Sequence, residues 1–339
     1  MQLAMQVLQQ LAARRAAETG ARQFVSGADL ARHFGVTRSA IWKAISQLRE
    51  LETDIEAVTH RGYRLALPAT PLEADAVRAA LRAETRQSLR QGDCAGAVDS
   101  TNSQLLARGA PPPGQFDFLT AEFQSAGRGR RGRSWLAPPA GAVCLSWSWC
   151  FEGLPSAMGA LSLAVGVASR RALQHLGIAG VQLKWPNDLV TPAGKLGGIL
   201  IEMRTESAGP VHVVIGIGLN VALGKTVRER LRDSGAEAAD LAGLAAPTAA
   251  PARSALVAAL LDEGVAAVRG FAQGGFGPFR DEFRAADALR DRPVTLQGSG
   301  AVQSGVARGV DADGALLVAD QGQIHRIIAG EVSVRRSSS

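Results

Sequence analysis

Gly127-Arg128-Gly129-Arg130-Arg131-Gly132-Arg133-Ser134-Trp135 packs four arginines and three glycines into its first seven residues, in a chain of 339. Glycine accepts positive φ and lets backbone N–H groups come close to a ligand. Each guanidinium presents a planar donor fork that fits a carboxylate or a phosphate. The stretch reads as an anion cradle; taken alone, it reads as readily as a nucleic-acid patch or a solvated basic loop.

Its neighbours favour the cradle. Glu122-Phe123-Gln124-Ser125-Ala126 leads into it, so Gln124 stands at the end of a strand candidate, Phe118–Glu122. Asp99-Ser100-Thr101-Asn102 gathers hydroxyls and an amide able to hold a polar head group, although the same residues make a good helix N-cap. Lys184-Trp185-Pro186-Asn187-Asp188 ends another strand candidate, Gln182–Trp185, and is followed by Gly194-Lys195-Leu196-Gly197-Gly198. Lys184 is a compact charge able to bridge two anionic oxygens. Asn187 and Asp188 offer oxygens to a hydrated magnesium ion, or simply form a turn. In Gly216-Ile217-Gly218-Leu219-Asn220, two glycines at a strand end permit close backbone approach to a ligand, without forming a dinucleotide fingerprint.

These clusters lie in a segment, residues 69–289, that alternates helical and strand patterns as an α+β domain does. Helix candidates are Leu72–Leu89, Ser156–Leu176 and Ala252–Phe271; further strand candidates are Val143–Trp149, Gly198–Met203 and Val211–Ile217. The Ala-rich stretch Gly235–Pro251 reads as a loop without chemistry. Residues 1–68, ending at the Pro68-Ala69-Thr70-Pro71 linker, read differently. An amphipathic helix over Met1–Gly20 precedes a short helix from Ser26 to Phe34, a turn at Gly35, and a second helix capped by Thr37. Two short strands around Thr59-His60-Arg61 complete a winged helix-turn-helix. Val36, Ile41, Ile45 and Leu48 face its core, leaving Arg38, Ser39, Trp42 and Lys43, with Arg61 on the wing, for DNA. Its nine Arg/Lys against six Asp/Glu are a modest excess, so a protein-interaction module is the alternative. Residues 290–336 switch to short alternating runs broken by Gly and Asp, the pattern of a small β-barrel, before a frayed Arg335–Ser339 tail.

The composition is globular, with 46% hydrophobic and 20% charged residues, and 37 Lys+Arg against 31 Asp+Glu permit a nucleic-acid partner without requiring one. No apolar stretch has the length of a membrane span and no secretion signal is visible. The three cysteines, Cys94, Cys144 and Cys150, lack metal spacing and fit a reducing cytoplasm. Cys144 and Cys150 read as small buried hydrophobes.

The order Ser-Thr-Asn, Gln then Gly-Arg-Gly-Arg-Arg-Gly-Arg, Lys-Trp-Pro-Asn-Asp, Gly-Lys-Leu-Gly-Gly-Ile-Leu-Ile-Glu, and Gly-Ile-Gly-Leu-Asn resembles the biotin protein ligase family. With a winged helix in front and a barrel behind, the chain is similar over nearly its whole length to the bifunctional ligases that also repress the biotin operon. The resemblance implies a multidomain α+β protein: a winged helix-turn-helix, a central domain like those of class II aminoacyl-tRNA synthetases and biotin/lipoate ligases, and an SH3-like β-barrel. It implies that biotin and ATP, with Mg2+, form biotinyl-5′-AMP, and that the biotinyl group passes to a lysine of a biotin carboxyl carrier protein of acetyl-CoA carboxylase. It also implies no tightly bound prosthetic group, and an adenylate-bound homodimer on operator DNA.

By motif, Ser100, Thr101, Asn102, Gln124, Arg128, Gly129, Arg130 and Lys184 would contact biotin or its adenylate, with Arg128, Arg130 and Lys184 catalytic. Arg131, Arg133, Trp135, Asn187, Lys195 and Asn220 would contact ATP, and Asp188 would hold Mg2+. The cradle would act as a mobile lid over the mixed anhydride. Two departures stand out. Ser134 replaces a lysine often found in the family, and residues 221–250 contain no aromatic to cover the adenine. A lipoate or other acyl ligase, and a ligand-sensing transcription factor without catalysis, are the competing readings.

Overall fold

The computed structural model describes residues 1–205, 209–244, 251–297, 304–328 and 330–334. The first region follows the expected order: α1 (Gln2–Ala17), α2 (Gly27–Phe34), α3 (Arg38–Glu50), then β1 (Ile55–Val58) and β2 (Gly62–Leu65) as the wing. Ser26 Oγ accepts from Asp29 N at 3.0 Å and Thr37 Oγ1 from Ala40 N at 3.2 Å, so both helix starts are side-chain capped. Gly35 ends α2 in the left-handed region, φ 64°, where glycine has no Cβ penalty. Leu8, Leu11, Leu30, Ile41, Ile45 and Leu48 form one core, and Ala140 and Phe123 of the central domain pack into it.

The central domain opens with two short helices, α4 (Ala74–Ala80) and α5 (Ala83–Ser88), rather than one helix over Leu72–Leu89; the chain then enters an edge strand, β3 (Leu89–Val98), which the sequence reading lacked. Its residues Arg90, Gln91 and Asp93 hide the strand pattern because only one edge of β3 is paired, leaving polar side chains room in solvent. Next come α6 (Thr101–Arg108), β4 (Phe116–Gln124), β5 (Ala142–Phe151), α7 (Leu161–His175), β6 (Gln182–Lys184), β7 (Asp188–Thr191), β8 (Gly194–Thr205), β9 (Val211–Asn220), α8 (Lys225–Asp233), α9 (Arg253–Gly274) and α10 (Arg280–Ala286).

Seven strands form one sheet in the order β3-β4-β5-β9-β8-β7-β6, parallel only between β3 and β4. Period-two alternation in β5 sends Trp147 to the face covered by α9, while Ser146 faces α6. Gly264 inside α9 makes room for Trp147: a Cβ there would lie 2.8 Å from the indole. A glycine in a helix interior costs about 0.5–1 kcal/mol, less than the apolar area that this tryptophan buries returns. A buried pair, Arg253 on Glu122 at 2.7 and 2.8 Å, joins the start of α9 to β4, and Arg253 Nε also donates to Thr70 O in the linker at 2.8 Å.

The C-terminal region is a five-stranded antiparallel sheet of β10 (Pro293–Gln297), β11 (Ser304–Val310), β12 (Leu316–Asp320), β13 (Gln323–Ile327) and β14 (Glu331–Val334), in the order β13-β12-β11-β10-β14. Val294, Leu316, Val318 and Ile327 belong to the same core as the central sheet. The Arg335–Ser339 tail lies outside the described residues. No described helix is long and apolar enough to cross a membrane.

Candidate active site

Strand ends and loops of the central domain between residues 100 and 218 converge on a cavity of about 370 Å³. Ser100, Thr101, Asn102, Gln124, Arg128, Gly129, Arg130, Arg133, Ser134, Trp135, Lys184, Asn187, Asp188 and Lys195 all line it, and Gly330 and Val332 of the C-terminal sheet close one side. Segments far apart in the sequence thus share one chamber, as a ligand site requires.

The inner end is a buried polar network. Ser100 caps α6, its Oγ accepting from Ser103 N at 3.5 Å, and the same residue lines the cavity. Gln124 Oε1 accepts from Thr101 N at 2.8 Å and fixes the start of α6 to the end of β4. Ser146 donates to Asn102 Oδ1 at 2.5 Å, which leaves the Thr101 hydroxyl as donor to Ser146 Oγ at 2.6 Å or to Gln124 Oε1 at 3.1 Å. Asn102 Nδ2 then donates to Glu202 Oε2 at 2.8 Å and to Leu200 O at 3.3 Å.

The cradle forms a hairpin in this structure. Gly129 N donates to Arg133 O at 2.7 Å and Trp135 N to Gly127 O at 2.9 Å, around a single turn at Arg130–Gly132. Of its glycines only Gly132 uses positive φ, 74°, and Arg131 beside it also adopts a left-handed conformation, φ 56°. Gly127 serves close approach instead, since a Cβ would lie 2.7 Å from Trp135 O. Arg128 Nη2 meets both oxygens of Glu202 at 2.9 and 2.8 Å. The glycines of β9 act otherwise than expected. The space above Gly216 is filled by Asn102, and that above Gly218 by the indole of Trp135, each 2.4 Å from where a Cβ would sit.

Lys184 reaches the cavity because the next residues are held from three sides. Trp185 Nε1 donates to Gly314 O of the C-terminal sheet at 3.0 Å, Ser162 Oγ to Pro186 O at 2.9 Å, and Asn187 Nδ2 to Ile199 O at 2.6 Å, around a cis Trp185–Pro186 bond. Lys195 Nζ lies 2.6 Å from Asp188 Oδ1 and 5.8 Å from the centre of the Trp135 ring.

Not every expected residue arrives. Asn220 is buried outside the cavity lining, where its Nδ2 donates to Ala239 O at 3.0 Å and Lys195 O at 3.4 Å, a backbone-holding task. Arg131 sits at the exposed tip of the hairpin and does not line the cavity either. The stretch after Gly235, expected to be a loop without chemistry, runs beside β8 at 237–239, Lys195 N donating to Glu237 O and Ala239 N to Lys195 O, each at 2.8 Å. Two network residues had no role in the sequence reading. Ser146 sits in a strand that reads as hydrophobic, and Glu202 closes the Gly-Lys-Leu-Gly-Gly-Ile-Leu-Ile-Glu motif, which was the available signal.

Asp188 gives a metal only one carboxylate, already paired with Lys195, and among the described residues no three His, Cys, Asp or Glu side chains cluster as a metal site. Asp188 could therefore serve a metal ion only as one ligand among several supplied by other groups. Neither His175 nor His212 lines the cavity, and burial pushes the His212 imidazole below its ordinary value. Burial likewise pushes the Cys144 thiol up to about 12, so this cavity-wall cysteine is a neutral apolar group. In the first region Arg38, Ser39, Trp42, Lys43 and Arg61 are all exposed, Trp42 at 62%.

The chain thus joins a helix-turn-helix region to a mixed sheet with an arginine-rich cavity and to a small antiparallel sheet, the architecture of a nucleic-acid-binding module linked to a small-anion-binding domain. Family models match accordingly: an HTH domain over residues 19–64, the biotin/lipoate A/B protein ligase family over 98–220, and a biotin protein ligase C-terminal domain over 291–335. The chain is 36% identical over 314 residues to the bifunctional ligase/repressor BirA of Salmonella typhimurium, covering 92% of this chain and 94% of that protein. Biotin protein ligase from Aquifex aeolicus, solved as a point mutant in complex with biotin, superposes with a TM-score of 0.59 at 25% identity, over 73% of this chain and 99% of that one. The same enzyme in complex with biotin and ATP shares the fold with a TM-score of 0.58 at 24% identity, over 73% of this chain and 100% of that one. The chain belongs to the BirA family of bifunctional biotin ligases and repressors.

Proposed function

We propose that this chain joins biotin to ATP, releasing pyrophosphate and retaining biotinyl-5′-AMP, then transfers the biotinyl group to a lysine of a biotin carboxyl carrier protein, forming an amide and releasing AMP. The observation that carries the reading is the convergence of Lys184, Arg128 and Arg130 with the Thr101–Ser146–Asn102 network in one cavity. Attack of a carboxylate on the α-phosphate brings two anions together, and cations already in place inside a walled cavity offset that repulsion. Lys184, held by its neighbours on three sides, and Arg130 supply the fixed positive charge; Mg2+ enters with ATP as part of the substrate. Trp135, Lys195 and Arg133 face the nucleotide, and the buried amides and hydroxyls face the head group of the acid.

In the second step the acceptor amine must lose a proton, its ordinary pKa being about 10.4. No cavity-lining histidine offers a base, so proximity and the positive field lower that barrier. Pyrophosphate release measured with biotin, lipoate and octanoate tests the assignment. Release with biotin alone supports it, release with lipoate or octanoate alone marks an acyl ligase, and no release with any acid leaves a sensor without catalysis.

The same chain acts in the cytoplasm as an adenylate-responsive repressor, with Arg38, Ser39, Trp42, Lys43 and Arg61 on DNA, and with an adenylate-bound homodimer matching a two-fold operator. This part rests on the exposed cationic face of α3 and the wing. Gel-shift titration against the biotin-synthesis promoter, with and without biotin and ATP, checks it; no adenylate-dependent shift at low salt removes the repressor role.

A further inference from the structure

We infer that Glu202 is a positioning residue for the acid substrate, acting from outside the cavity on two residues that line it. The inference rests on the ligase reading above. Its carboxylate holds Arg128 Nη2 through both oxygens, at 2.9 and 2.8 Å, and accepts from Asn102 Nδ2 at 2.8 Å. Glu202 itself does not line the cavity, whereas Arg128 and Asn102 do.

Two consequences follow from hydrogen-bond chemistry. A carboxylate only accepts, so it forces Asn102 to present Nδ2 outward and Oδ1 inward. Oδ1 then receives the Ser146 proton, so the Glu202 charge, together with Leu200 O, fixes which way the Asn102 end of the buried network points. The contact also uses a single nitrogen of Arg128, aiming the guanidinium at the cavity while leaving donors for an anionic ligand. A glutamine at 202 has nearly the same shape but carries an amide. It loses the charge-assisted bonds and leaves Leu200 O, at 3.3 Å from Nδ2, as the remaining acceptor that fixes the orientation of Asn102.

The placement along the sheet says which substrate feels this. Asn102 covers Gly216 and Trp135 covers Gly218, so the cavity runs along β9, and Glu202 pairs in register with Val214, beyond Asn102 on the side away from Trp135. Glu202 therefore orders the inner end, where the acid sits, and not the end beside Trp135 and Lys195.

The test is steady-state pyrophosphate release by the full chain, with biotin and ATP varied separately, for the wild type, Glu202→Gln and Glu202→Asp. Glu202→Gln is expected to raise the KM for biotin about tenfold and, because Arg128 loses its hold, to lower kcat as well, while the KM for ATP stays within about twofold; Glu202→Asp, charged on a shorter arm, falls between. A Glu202→Gln enzyme with wild-type biotin KM overturns the inference, because a packing role would tolerate the near-isosteric amide. A fall in kcat at unchanged KM overturns it too. Thermal melts of each variant accompany the kinetics, and if Glu202→Gln does not fold, the Glu202→Asp biotin KM decides alone. Failure of the wild type to release pyrophosphate with biotin would instead break the ligase reading.

Discussion

Two regions of this chain are rich in cations, and they use them differently. On α3 and the wing, Arg38, Lys43 and Arg61 are exposed, and no carboxylate pairs with them among the described residues. In the cradle, Arg128 lies on a hairpin pinned at its base, answers to Glu202, and shares a walled chamber with Lys184 and Lys195. A charge on open surface acts over a Debye length and is screened by salt; a charge in a chamber acts at contact distance, where screening is weak. The first arrangement suits a long polyanion met in many registers, and the second a small anion held in one. Sequence composition alone does not separate them, because both read as arginine beside glycine or serine.

The largest effect on this contrast is expected from the buried pair behind the cradle. Glu122 also accepts from Ala140 N at 3.3 Å, and Ala140 packs into the winged-helix core, so the pair joins strand, linker and DNA-binding region. Arg253→Ala leaves Glu122 charged, buried and short of its bidentate partner, and should lower stability by about 3–5 kcal/mol in chemical denaturation. Next in size, Lys184→Ala should fold normally and reduce the rate of pyrophosphate release by about a hundredfold; Arg130→Gly should instead leak adenylate, measured as free biotinyl-AMP in the supernatant. If both variants biotinylate a carrier domain at the wild-type rate, the chamber reading fails.

A smaller effect is expected on the open surface. Arg38→Ala with Lys43→Ala should weaken DNA binding and flatten the slope of log affinity against log salt by about 0.9 for each phosphate no longer neutralised, while pyrophosphate release stays within about twofold. The smallest effect concerns the thiols. Burial pushes both Cys94 and Cys144 up to about 12 from 9.0, so neither should react with iodoacetamide at pH 8 in the folded protein, as peptide mass mapping would show. A raised thiol pKa stabilises the fold below pH 9.0, and that contribution is lost as the pH rises from 9.0 towards 12, where the unfolded chain ionises and the folded one does not.

Much of the site was legible from the sequence because its residues come in short clusters at strand ends, where local chemistry and ligand chemistry coincide. Ser100 is the clearest case, a helix cap and a cavity wall at once. Asn220 marks the limit: a polar residue at a strand end looks the same whether it faces a ligand or, as here, ties Ala239 and Lys195 together. β3 was hidden by its polar edge, and α8 by an arginine-rich stretch with only Val227 buried.

Period, capping residues and glycine placement determined the three regions, the winged helix and the clustered motifs, because those signals act within a few residues along the chain. The partners of the charges were decided only by the tertiary structure. Glu202 meets Arg128 across 74 positions and Arg253 meets Glu122 across 131, distances over which no periodicity operates. Whether an arginine belongs to a surface or to a chamber depends on what the fold brings opposite it.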